Sequence, residues 1–111
     1  MQADKAFDLG AGYLESQELE MALIAFGEAI RVDPKMAQAF NGRAVVLGML
    51  GDFQKALADA TEALRLDPWE PEYYRTRGYV YDQLGDKENA ATDLEKADQL
   101  AAQWAARSQA T

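Results

Sequence analysis

Four series of residues recur in this chain at a spacing of 34. Asp33-Pro34 returns as Asp67-Pro68, preceded by Ala29-Ile30-Arg31-Val32 in the first instance and by Ala63-Leu64-Arg65-Leu66 in the second. Gly51-Asp52 returns as Gly85-Asp86, while Ala22, Ala56 and Ala90 form a third series and Ala29, Ala63 and Ala97 a fourth. A fixed period of this length is the mark of one small supersecondary unit used several times over. Such a unit buries its apolar face only against its neighbours.

Inside each unit the apolar positions follow a helical period rather than the alternation of a strand. Leu9, Tyr13, Ala22, Phe26 and Ala29 fit two short amphipathic helices. So do Phe40, Leu47, Phe53, Ala56, Ala60, Ala63 and Leu64, and then Tyr74, Gly78, Tyr81, Ala90, Leu94 and Ala97. The pattern predicts helices over about 3–15, 18–32, 37–49, 53–66, 71–83 and 87–107. Asp52 and Asp86, each after a glycine and before a helical run, are expected to be N-caps that accept orphan amide protons. Pro34 and Pro68 punctuate the unit boundaries, where a missing N–H costs little.

Composition removes several kinds of chemistry. With no Cys and no His among 111 residues, there is no thiol nucleophile, no thiolate or imidazole metal ligand and no imidazole base. No cofactor or metal site is expected. The formal charge of −8 opposes binding to a phosphate backbone, and no unit is net positive, so no nucleic acid is expected as partner. No run approaches the roughly 18 apolar residues of a membrane span, so direct membrane insertion is not expected either. Met1-Gln2-Ala3-Asp4-Lys5 lacks the basic-then-apolar layout of a secretory leader, and a cytoplasmic location is the expectation.

On these residues the chain resembles the tetratricopeptide repeat (TPR) family, whose 34-residue signature places an aromatic, Leu-Gly, Tyr, Ala, Phe, Ala and Pro at fixed offsets. Leu9-Gly10, Tyr13, Ala22, Phe26, Ala29 and Pro34 match in the first unit, with Ala6 where the aromatic would stand. Phe40, Ala44, Leu47, Ala56, Ala60, Ala63 and Pro68 follow in the second; Tyr74, Gly78, Tyr81, Ala90, Leu94 and Ala97 follow in the third, with Ala102 in place of Pro. The resemblance implies one domain over 1–111, with repeats 3–36, 37–70 and 71–104 and a helical C-terminal extension 105–111. Its fold would be all-α, a right-handed superhelical stack of three helix-turn-helix repeats, six helices in all, with a concave groove. Small residues at Gly10, Ala44 and Gly78 would let paired helices approach, and Tyr13, Leu47 and Tyr81 would fill the remaining gaps.

The resemblance further implies a non-enzymatic protein–protein interaction module or adaptor whose first helices line the groove. Carried over by repeat position, the lining is Asp4, Phe7, Asp8, Ala11, Leu14 and Glu15, then Gln38, Asn41, Gly42, Val45, Gly48 and Met49, then Glu72, Arg75, Thr76, Tyr79, Asp82 and Gln83. Acids predominate over the single cation Arg75, and Phe7, Leu14, Val45, Met49 and Tyr79 add apolar surface. Gly42, Gly48 and Ala11 are expected to leave room for a ligand. One reading is a groove for a protein segment carrying Lys or Arg beside apolar anchors, with Phe7, Tyr79 and Met49 supplying most of the desolvation energy. The other is that these acids are only the solvated face of an acidic protein.

A TPR subfamily grips the C-terminal carboxylate of heat-shock chaperones with Lys, Asn, Asn, Lys and Arg. The matching positions here are Phe7, Ala11, Gly42, Glu72 and Thr76, so that ligand is not expected. Asn41 and Arg75 lie one residue away, about 100° around the helix. Trp69, between Pro68 and Pro71, is expected to pack over the junction of units two and three; a partner anchor is its other reading. Glu18/Glu20 and Glu70/Glu72 are expected to be exposed helix-start acids and not a catalytic pair. Arg31, Lys35 and Arg65 sit near helix C-termini, where cations complement the dipole. Beyond Ala97 the chain runs on to Arg107 without Pro or Gly, as an extension of the sixth helix. Exposed Leu100, Ala101 and Trp104 there would make the protein a self-assembling scaffold, a homo-oligomer through its uncapped end. Alternatively Trp104 folds back onto the third unit, or a longer chain supplies a cap.

Overall fold

The structure, a computed structural model, describes residues 2–110. Six helices follow one another: α1 (Ala3–Glu15), α2 (Leu19–Val32), α3 (Ala37–Met49), α4 (Phe53–Leu66), α5 (Pro71–Gln83) and α6 (Lys87–Ala110). No strand occurs among the described residues, and the fold is an all-α stack of helix pairs. The helices stand where the 34-residue pattern puts them, except that α2 starts at Leu19 and α6 runs three residues further.

Each unit is a helix pair, α1 with α2, α3 with α4 and α5 with α6. The second helix of one pair then packs on the first helix of the next. The first helices also touch one another, α1 with α3 and α3 with α5, so they form a continuous face. The core is built from the repeated small residues: Ala6, Ala22, Ala29, Ala44, Ala56, Ala60 and Ala63 are all fully buried. Phe26 is the largest side chain wholly enclosed. A Cβ on Gly10 would lie 2.7 Å from its ring, and one on Gly78 would lie 3.1 Å from Leu94 Cγ. Close helix approach at these two positions depends on the missing side chain.

The turns repeat as faithfully as the core. The helix C-caps Asp33 and Asp67 are extended, and each accepts a backbone N–H two residues on, from Lys35 at 3.0 Å and Trp69 at 3.2 Å. An Asx turn followed by proline thus ends both second helices. Arg31 donates to Glu28 and Arg65 to Glu62, one turn earlier in each case. These exposed pairs account for two of the C-terminal cations. Gly51 and Gly85 take φ of 82° and 83° in the turns inside units two and three. At the equivalent place in unit one stands Gln17, at φ 60°.

Asp86 Oδ1 accepts from Asn89 N at 3.2 Å and caps α6 as expected. Asp52 does not cap α4: it makes no side-chain hydrogen bond to the first turn, and its carboxylate lies 3.7 Å from Lys55 Nζ. Trp69 does not pack over the unit junction, being 73% exposed. Nor does Trp104 fold back, at 70% exposed. Leu100 is buried, against its expected exposure at the chain's end, and Ala101 is partly covered.

Candidate ligand groove between α3 and α5

The helical period puts Val45, Gly48 and Met49 on one stripe of α3, and Glu72, Arg75, Thr76 and Tyr79 on the facing stripe of α5. Between them lies an open groove of about 320 Å³, floored by Ala44 and Val80. Both floor residues are buried, while Met49 and Tyr79 are half exposed. The glycine at 48 creates much of this space. A Cβ there would sit 3.6 Å from the Tyr79 ring, in ordinary contact, and a larger side chain would enter the groove. The walls are apolar and the polar groups stand at one side, where Thr76 Oγ1 donates to the Glu72 carbonyl at 3.1 Å. Glu72 and Arg75 are exposed and supply one charge of each sign.

Of the residues expected to line a groove, Val45, Gly48, Met49, Glu72, Arg75, Thr76 and Tyr79 come together here. The rest stand elsewhere. Asp4 and Asp8 are exposed on α1, and Ala11 is partly buried. Phe7 is half buried, its ring tilted 53° against that of Phe26 with centroids 5.7 Å apart, so it serves the core more than a ligand. Gln38 is exposed at the start of α3. Asn41 is partly buried, and its Oδ1 has no hydrogen-bond partner among the described residues. Asp82 is engaged by Lys87 Nζ at 2.6 Å, which neutralises one of the acids counted toward the groove.

Gly42 also departs from expectation. A Cβ at this position would lie 2.6 Å from Phe26 Cζ, so the residue is a packing glycine between units one and two rather than a space left for ligand. Two ion pairs that the sequence reading passed over hold the walls of the groove to the helices behind. Arg43 Nε donates to Asp59 Oδ2 at 2.7 Å, and Arg77 Nε donates to Asp93 Oδ2 at 2.8 Å. In each case the hydrogen-bonded carboxylate raises the arginine pKa, with burial acting against it. The signal was present as Arg and Asp 16 residues apart, repeated at the 34-residue spacing. Among the described residues no cluster of acidic side chains is suited to a metal ion, and no helix is long and apolar enough to cross a membrane.

A family model for the tetratricopeptide repeat matches twice, over residues 7–68 and 48–109, which together take in most of the chain. The chain belongs to the TPR family. A curated relative, tetratricopeptide repeat protein 36 of Xenopus tropicalis, is 40% identical over 50 residues, covering 45% of this chain. The TPR chain described here spans only about a quarter (25%) of that relative's length. Among solved structures, the second TPR of Spaghetti (RPAP3) bound to the HSP90 peptide SRMEEVD superposes with a TM-score of 0.87 at 26% identity, over 90% of this chain and 93% of that one. The complex of the TPR2B domain of yeast Sti1 with a pHsp70 peptide gives 0.88 at 26% identity, over 91% and 81%. MamA gives 0.86 at 22% identity, over 94% and 61%, a likeness of fold alone. A TPR chain is a protein–protein interaction module in the coarse sense that the family implies.

Proposed function

We propose that this TPR domain binds a segment of a partner protein in the α3–α5 groove, and that the segment carries an apolar anchor beside Lys or Arg. The observation that carries the reading is the convergence of Val45, Gly48, Met49 and Tyr79 on one apolar groove with exposed aromatic and thioether surface. Half-exposed Met and Tyr offer large contact area at low ordering cost, as binding anchors do. Exposed Asp4 and Asp8 on α1 and Glu72 on α5, within a chain of charge −8, favour a cationic segment during encounter. Peptides bound to TPR domains of the same fold support the mode of action.

The chaperone tail is a poor fit to this groove. Glu72 and Thr76 stand where the carboxylate-gripping Lys and Arg would be, and Phe7 and Gly42 are committed to Phe26. Peptide selection from a random display library tests the proposal. Enrichment of Lys or Arg next to Leu, Met or Phe is expected, with no measurable binding of SRMEEVD. Enrichment of acidic C-terminal sequences, or tight binding of SRMEEVD, overturns it.

A further inference from the structure

The two tryptophans of the chain line a second cleft, separate from the α3–α5 groove and independent of the reading given to it. This cleft, about 680 Å³, lies between the α4–α5 loop and α6. Trp69 and Pro71 form one wall, Trp104 and Arg107 the other, and buried Leu100 the floor. Indoles bury most of their surface in ordinary proteins, so two of them at 73% and 70% exposure in one cleft is a marked departure.

The backbone under each is fixed by the chain. Trp69 sits between Pro68 and Pro71; its backbone N–H donates to Asp67 Oδ1 at 3.2 Å, and Glu70 Oε1 accepts from Glu72 N at 3.4 Å, so the loop backbone that carries the indole is pinned on both sides. Trp104 is delivered by the unbroken α6, which has Ala102 where the earlier units have proline. A cleft arranged this way pays little ordering cost when it is filled.

Charge selects the occupant. Asp67 and Glu70 stand on the loop side, and neither is in an ion pair among the described residues; Arg107 on the helix side is likewise unpaired. Indole faces attract guanidinium groups, and the chain's charge of −8 draws cations from a distance. A second copy brings −8 of its own and is repelled. We propose that the cleft is a ligand site for an extended, arginine-bearing segment of another protein, its guanidinium seated between the indoles on the acidic loop side and its apolar residues over Leu100. Arg107 repels the cation from the far wall and so sets the direction in which the segment lies. Aromatic-lined grooves that take extended proline-containing segments work on the same physics.

Both tryptophans lie in this cleft, so tryptophan emission, excited where tyrosine does not absorb, reports on it and is blind to the α3–α5 groove, whose aromatic is Tyr79. The probes are acetyl-LPRPRL-amide and its charge-swapped form acetyl-LPEPEL-amide. The arginine peptide is expected to give a saturable blue shift, weakened about fivefold or more in Trp69→Ala, Trp104→Ala and Glu70→Gln, and the acidic peptide none. The three side chains are exposed, so the variants should melt as wild type does, and Met49→Ala should leave the titration unchanged. A shift that is equal for both peptides, or absent for both, overturns the proposal. So does a shift produced by protein concentration alone with a doubled mass, which would make a second copy the occupant, or one produced by neutral phosphatidylcholine vesicles, which would make it a lipid surface.

Discussion

Arg77 on α5 and Asp93 on α6 form a two-bond ion pair, Nε to Oδ2 at 2.8 Å and Nη2 to Oδ1 at 2.9 Å, with Asp93 almost fully buried. The same pair stands 34 residues earlier as Arg43 and Asp59, at 2.7 and 3.0 Å. Arg43 also lies over the Phe40 ring and Arg77 over Tyr81, so each guanidinium is held on a face as well as at its edge. The first unit has Leu9 and Ala25 at these positions and closes its helix pair without any charge.

That difference predicts a strong coupling. Asp59→Ala leaves a half-buried guanidinium unpaired and should cost roughly 2 kcal/mol in urea unfolding. The double substitution Arg43→Leu, Asp59→Ala copies the first unit and should fall within about 1 kcal/mol of wild type. A double-variant loss equal to the sum of the losses in Asp59→Ala and Arg43→Leu would show that the pair is not coupled.

The left-handed turn in unit one should be improvable. Gln17 holds φ 60° where Gly51 and Gly85 hold 82° and 83°. Gln17→Gly should therefore raise stability by about 0.5–1 kcal/mol, the relief of a side chain in the left-handed region less the added freedom of the unfolded chain. A lower melting temperature for this variant would contradict the reading.

Glycine positions should separate by role. Gly10→Ala and Gly42→Ala drive a Cβ into the Phe26 ring and should each cost about 1–3 kcal/mol. Gly48→Ala has room and should gain up to about 1 kcal/mol from helix propensity. Thermal melts of the three variants check the order.

Alkaline unfolding should report on Tyr73. Burial, helped by the negative charges of Asp67 and Glu70, pushes its hydroxyl up from 10.0 to about 12. The folded state thus holds this proton more tightly than the unfolded one. Its contribution is complete below pH 10 and is lost as pH rises towards 12, roughly 3 kcal/mol in all. Tyr73→Phe should lose less stability over that window than wild type; parallel pH profiles would refute the assignment.

The fold was readable because repetition multiplies weak signals: one Asp-Pro is common, while Asp33-Pro34 and Asp67-Pro68 in register with Gly51 and Gly85 leave little choice of architecture. Most of the α3–α5 groove was readable too, through the family resemblance: carried over by repeat position it gives Val45, Gly48 and Met49 on α3 and Glu72, Arg75, Thr76 and Tyr79 on α5, and leaves out only the floor, Ala44 and Val80. Contacts between units were not. Gly42 counts as an open position within its own unit, and only the arrival of Phe26 from the preceding unit closes it. Phe7 is drawn inward by the same ring. Trp69 misleads because flanking prolines imply a packed junction, whereas the Asx turn at Asp67 directs the chain so that the indole faces out. Gln17 gave no warning because nothing in its side chain marks a left-handed backbone.

The groove between α3 and α5 is the centre of the account, and calorimetry tests it most directly. A peptide selected on the wild-type protein should lose about tenfold or more in affinity on the Met49→Ala, Tyr79→Ala double variant, the scale of two lost anchors, and keep its affinity on Trp69→Ala. Equal affinity for wild type and the groove variant would place recognition elsewhere on the molecule and contradict the central claim.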